Sequence, residues 1–246
     1  MEIIPAIDLK DGRCVRLFQG EFDQQTDYSD DPGAVARGYE AFGCPVLHMV
    51  DLDGALSGVQ KNRDIVATVA ASASFSIQLG GGIRDAENIE SWLSAGVSRC
   101  VIGSVAVKAP AMVRDWIAQF GAQRIVLALD VRIQASGIPE LAIHGWTETS
   151  TVSMWDCVDG FIGAGATHVL CTDISRDGAM QGPNLELYRQ FIERYPGIQL
   201  QASGGVRDIQ DLRALREAGA ASAITGRALL DGQISLEEIQ SFRQNA

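Results

Sequence analysis

Hydrophobic and polar positions along this chain switch period repeatedly. Short runs rich in Val, Ile and Leu recur as EIIPAID (2–8), VLHMVDL (46–52), FSIQLG (75–80), RCVIG (99–103), RIVLALD (124–130), THVLCTD (167–173), IQLQAS (198–203) and ASAITG (221–226). Between them apolar residues return every three or four positions, which predicts helices over 32–43, 61–72, 85–95, 110–119, 153–163, 184–194, 208–218 and roughly 235–243. Asp31 ahead of Pro32, Asp85 and Asp208 stand where helix N-caps belong, and Gly96 and Gly219 where helices end. Strand and helix alternating in this way predict βαβ units and a parallel sheet.

The pattern also repeats. Asp8 and Asp130, Gly43 and Gly165, Asp51 and Asp173, and Asn62 and Asn184 all share an offset of 122. GGIRDAENIESWLSAG from Gly81 aligns with GGVRDIQDLRALREAG from Gly204, and Gly103 with Gly226, at an offset of 123. Chance likeness between glycine-rich loops does not hold a constant offset over such a span, so the chain reads as two copies of four β/α units, 1–122 and 123–246. Eight units at about the usual ~250 residues predict one closed (β/α)8 TIM barrel domain, 1–246, rather than an open doubly wound sheet. Reacting groups are then expected at the carboxyl ends of the strands.

Composition narrows the partners. With 46% hydrophobic and 21% charged residues the chain can bury a full core, and its net charge of −11 argues against a nucleic-acid surface. No apolar stretch approaches the ~20 residues of a membrane-spanning helix, so a cytoplasmic protein without a membrane partner is expected. The five cysteines are widely spaced and the three histidines form no ligand-spaced cluster. Neither a disulfide framework nor a metal site is expected, and no dinucleotide or nucleotide-triphosphate motif stands in its required context. No cofactor is predicted, and a monomer is the default.

Asp8 and Asp130 end the first and fifth strand runs, and strands one and five of an eight-stranded barrel face each other. Paired carboxyls in different environments divide into base and acid; the plain alternative is that each only caps the next turn. Ala6 and Ala128, two residues earlier, are expected to point inward and leave room below them. The turns at Gly81–Gly82 and Ser203–Gly204–Gly205, followed by Gly103–Ser104 and Gly226–Arg227, read as two phosphate cradles of exposed N–H groups at helix starts, with tight-turn geometry as the alternative. Residues 9–31 and 131–152 are too long for simple βα turns and are candidate lids. In them Arg16 could pair with a phosphate and Trp146 could stack on a flat heterocycle; their alternatives are a solvated arginine and a partly buried loop tryptophan. Asp177 and Gly178, in the loop after the sixth strand, are further candidates for ligand contact. His48 near a strand end reads as a satisfied barrel histidine.

The segments PAIDLKDGRCVRLFQG, VDLDGA, LGGGIR, IGS, LALD, HGW, TDISRDG, GPN, SGGV and TGRAL, in this order, span the chain nearly end to end. On them the sequence resembles the histidine-biosynthesis isomerases that act on N′-[(5′-phosphoribosyl)formimino]-5-aminoimidazole-4-carboxamide ribonucleotide. The resemblance implies a substrate with a phosphate at each end and an Amadori rearrangement, with Asp8 as base and Asp130 as acid and no metal or redox cofactor. The sister barrel, the cyclase subunit of imidazole glycerol phosphate synthase, shares the duplication and both aspartates. PAIDLKDG rather than the cyclase-like PCLDVKDG, together with HGW, favours the isomerase. A dual-substrate form that also isomerises the tryptophan-pathway intermediate, and a non-catalytic sensor of a bisphosphorylated metabolite, are the remaining alternatives.

Overall fold

The computed structural model describes residues 1–244, so the last two residues of the expected domain, 245–246, lie outside the described residues. Eight parallel strands close into a barrel: β1 (Glu2–Lys10), β4 (Val46–Asp51), β5 (Ser76–Gly80), β6 (Arg99–Ile102), β7 (Ile125–Ile133), β10 (His168–Asp173), β11 (Gln199–Ser203) and β12 (Ser222–Thr225). Each pairs with the next around the ring, and β10 pairs with β7 and β12 with β1, which leaves no edge. All eight strand runs seen in the sequence are barrel strands.

The main helices lie outside the ring. They are α1 (Pro32–Glu40), α3 (Arg63–Ser72), α4 (Ala86–Ser94), α6 (Pro110–Phe120), α7 (Met154–Ile162), α8 (Leu185–Arg194), α9 (Ile209–Glu217) and α11 (Leu236–Gln244). The sequence signals at their starts act as caps: Asp31 accepts from the Ala34 N–H, Asp85 from Asn88, and Asp208 from Gln210 and Asp211, and Asn184, a repeat position, likewise accepts from Leu187. Three one-turn helices follow strand ends and carry too few residues for a periodic signal: α2 (Leu52–Ser57), α5 (Ser104–Lys108) and α10 (Arg227–Leu230).

Two cores result. The larger lies between barrel and helices, with Trp92, Tyr188, Phe161, Phe191 and Phe242 almost fully buried. The smaller fills the barrel with Ile4, Ala6, Val46, Val101, Val126, Leu170 and Ile224, and Ala128 packs on it. Alternation from Ala6 and Ala128 therefore turns Asp8 and Asp130 inward at the next level up.

The long connections depart from the expected loops. β1 and β7 do not stop at Asp8 and Asp130; they run on to Lys10 and Ile133. β2 (Arg13–Phe18) and β3 (Glu21–Ser29) continue β1 as an antiparallel sheet, while β8 (Pro139–Ile143) and β9 (Glu148–Ser153) do the same for β7. The turns Asp11-Gly12 and Gln19-Gly20 have positive φ at both residues, the geometry that joins two strands without splaying them. Cys14, Val15 and Leu17 are buried, so part of this hairpin belongs to the fold.

Candidate active site at the carboxyl ends of the strands

Asp8 lies on β1 opposite Val15 of β2, and the hairpin returns Arg16 over it. Arg16 Nη1 donates to Asp8 Oδ2 at 2.8 Å, and Nη2 lies 3.6 Å from Asp177 Oδ1. Arg16 is not a solvated arginine, because its side chain is only 14% exposed and its Nε is buried without a partner. Burial opposes its charge, but Asp8 and then Asp177 outweigh it and hold the guanidinium protonated. Burial raises the Asp8 pKa and Arg16 pulls it back, while Asp177 adds repulsion.

Asp130 sits in a different setting. Burial raises its pKa; the Trp146 indole N–H and the Thr172 hydroxyl donate to it and partly offset that, and Asp177 adds to the rise. Thr172 is its register partner on β10. The stretch Thr172–Asn184 stands out in the sequence, yet this hydroxyl does not, because only barrel closure between β7 and β10 brings it beside Asp130. One carboxyl thus faces a fixed positive charge and its duplicate faces neutral donors.

The lids meet over these groups. A methyl on Gly20, at φ +77°, would overlap the Trp146 ring, so the tip of the first hairpin lies directly on that indole. His144, Gly145 and Trp146 all have positive φ, a run that turns the indole back toward the barrel. The Gln19 side chain donates to the Ser175 carbonyl at 2.9 Å, and Gly178, at φ +67°, approaches Leu17 and Phe18 of the hairpin. Arg227 Nη1 donates to the Gly178 carbonyl at 2.6 Å, and its Nε lies 3.1 Å from Asp231.

The two glycine turns have a packing cause. Side chains at Gly81 or Gly82 would strike the Asp51 and Gly54 carbonyls, and at Gly204 or Gly205 those of Asp173 and Gly182. Gly103 and Gly226 differ, since each precedes a helix, α5 and α10, whose start has no side-chain cap. Space is open beside Gly103, whereas the Arg16 guanidinium lies against Gly226. Ser104 Oγ accepts from the His144 N–H at 3.0 Å, and the Ser203 carbonyl accepts from Tyr188 at 2.6 Å.

Beneath the mouth, Gln78 and Gln201 meet inside the barrel, and Gln78 Nε2 also lies 3.1 Å from His48 Nδ1. Burial, then Arg16, lower the His48 pKa to about 3, so the ring is neutral. This is the satisfied barrel histidine expected from the sequence. The amide pair escapes a reading of local patterns, although its offset of 123 is that of the repeat. The five cysteines are buried and unpaired. Among the described residues no group of three or more His, Cys, Asp or Glu is placed to hold a metal ion, and no helix is long and apolar enough to cross a membrane.

A closed, duplicated (β/α)8 barrel with two inward-facing carboxyls, one buried and one half-buried, at equivalent strand positions is the architecture of a barrel enzyme. The family model of histidine biosynthesis proteins matches residues 2–235, nearly the whole chain. The protein belongs to that family and is a histidine-biosynthesis enzyme.

Proposed function

We propose that the protein is the aldose–ketose isomerase of this family, converting N′-[(5′-phosphoribosyl)formimino]-5-aminoimidazole-4-carboxamide ribonucleotide into its ribulosyl isomer. The observation that carries this reading is the unequal pair: Asp8 is ion-paired to Arg16, and Asp130 is half-buried and desolvated among neutral donors. A fixed positive charge favours the ionised form, hence a base; desolvation without a counter-charge favours retention of a proton, hence an acid.

In the proposed reaction Asp130 gives its proton to the ribose ring oxygen, the C1′–O bond breaks, and the nitrogen lone pair completes a Schiff base. Asp8 then takes the proton from C2′, and the electron pair left behind forms the enolamine that tautomerises to the ketose. The chain's own groups supply both proton transfers.

One substrate phosphate is assigned to Gly103 and Ser104 beside the Gly81–Gly82 turn. The other is assigned to Gly226 and Arg227 beside Ser203, Gly204 and Gly205. The uncapped starts of α5 and α10 support this, because unsatisfied N–H groups favour an anion. Arg16 lies close enough to Gly226 to meet a phosphate there, and Trp146, Asp177 and Gly178 close the mouth above the heterocycle. The protein is proposed to act as a cytoplasmic monomer without cofactor.

The test is turnover of the formimino ribonucleotide by the purified protein, with no added metal or glutaminase, alongside Asp8→Asn and Asp130→Asn. Conversion by the wild type and its loss in both variants is the expected result. Binding without conversion, with activity appearing only on the ribulosyl compound plus ammonia, would transfer the protein to the cyclase branch.

A further inference from the structure

At the end of the barrel away from the lids, a cleft of about 380 Å³ opens where β4 to β7 begin. Its lining includes the apolar side chains of Val46, Leu93 and Val97 together with Ser98, Arg99 and Arg124. Val101 and Val126 pack inside the barrel, so alternation along β6 and into β7 sends Arg99 and Arg124 toward its lower rim.

Seven arginines of this chain pair with carboxylates, namely those at 13, 16, 37, 176, 194, 207 and 227. Arg99 and Arg124 make no side-chain hydrogen bond or ion pair among the described residues. No acid lines the cleft, although the chain has 31 acids against 20 Lys and Arg. His168 is buried next to Arg99; burial, then Arg99, lower its pKa to about 4, and its Nε2 lies 2.9 Å from Gln123 Oε1. The cleft therefore holds two uncompensated positive charges beside neutral donors.

We infer that this cleft binds a small dianionic molecule, its two oxyanion groups on Arg99 and Arg124 and its carbon skeleton on Val46, Leu93 and Val97. Guanidinium forks match carboxylate and phosphate oxygens alike, so the class is a short dicarboxylate or a phosphorylated metabolite. The apolar layer of Val46, Val101, Val126 and Leu170 separates it from the mouth, which makes it a second site and not an extension of the first. Catalytic groups of such barrels gather at the other face, so the role here is binding.

Amide NMR titration of the full chain with inorganic pyrophosphate, and separately with succinate, tests this in the wild type and in R99Q/R124Q. Saturable shifts at Ser98, Arg99 and Gln123 are expected, weakened at least about tenfold in the double variant, as expected for loss of charge-assisted hydrogen bonds. The more tightly bound probe identifies the oxyanion. An unchanged thermal midpoint in R99Q/R124Q shows that the fold is retained. Shifts confined to the mouth amides near Gly103 and Gly226, or of equal strength in the double variant, would overturn the inference, as would no saturable shift with either probe.

Discussion

Gln78 and Gln201 exchange hydrogen bonds inside the barrel: Gln78 Nε2 donates to Gln201 Oε1 at 2.8 Å, and Gln201 Nε2 donates back at 3.1 Å. Equivalent residues of the two half-barrels so become each other's partner, as a near two-fold axis between β5 and β11 requires. With no water-facing alternative, truncating one member orphans the other. Gln78→Ala is expected to cost about 2–3 kcal/mol in urea unfolding, the penalty for an unsatisfied buried amide. Gln78→Leu with Gln201→Leu should lose less than the sum of the two single variants, since neither partner is then left alone. Strict additivity would mean that the pair is not coupled.

That amide pair marks where the sequence is informative and where it is not. Strand runs and helix caps are local signals, and the eight barrel strands and the caps at Asp31, Asp85 and Asp208 follow from them directly. The repeat carries the symmetry of Asp8 with Asp130. Contacts created only by barrel closure stay hidden: Thr172 on Asp130, Gln78 on Gln201, and Arg16 on Asp177. The hairpins read as loops because charged and polar residues dominate β3 and β9, neither of which buries a single residue. Yet the Asp11-Gly12 turn stands in the sequence as a hairpin signal.

Gly20 tests the contact between the lids. Its φ of +77° and the Trp146 ring against its Cα exclude a side chain without movement. Gly20→Ala should displace the indole from Asp130 and lower turnover about tenfold, less than the ~10²–10⁴-fold that a general acid contributes, because Asp130 itself remains. Trp146→Phe, which keeps an aromatic ring but lacks the N–H, should show a loss of similar size. Full activity in both variants would remove Trp146 from the acid's environment.

Arg16 sets the protonation of the proposed base. It lowers the Asp8 pKa against the burial that raises it, so Arg16→Met leaves burial and Asp177 acting alone in the upward direction. A base must be ionised to work. The rising acid limb of the kcat against pH profile should therefore move to higher pH in Arg16→Met and be largely restored in Arg16→Lys. A limb that stays in place while only KM rises would make Arg16 a phosphate contact with no influence on Asp8.

His48 provides a pH signature of the fold itself. Its pKa is near 6.5 when unfolded and about 3 in the barrel, so between these values the unfolded chain binds the proton and the folded chain does not. Stability carried by the neutral ring is thus fully present above pH 6.5 and is lost as pH falls toward 3. His168, lowered to about 4, acts in the same direction, while the raised carboxyls of Asp8 and Asp130 act in the opposite one. A comparison of variants isolates His48 from these. His48→Gln cannot titrate, so the stability difference between wild type and variant should shift on the order of 3 kcal/mol against the wild type between pH 7 and pH 4, at ~1.4 kcal/mol per pH unit for one proton. Parallel unfolding curves across that range would mean that the ring gains its proton inside the barrel, and that the Gln78 amide is not what holds its Nδ1.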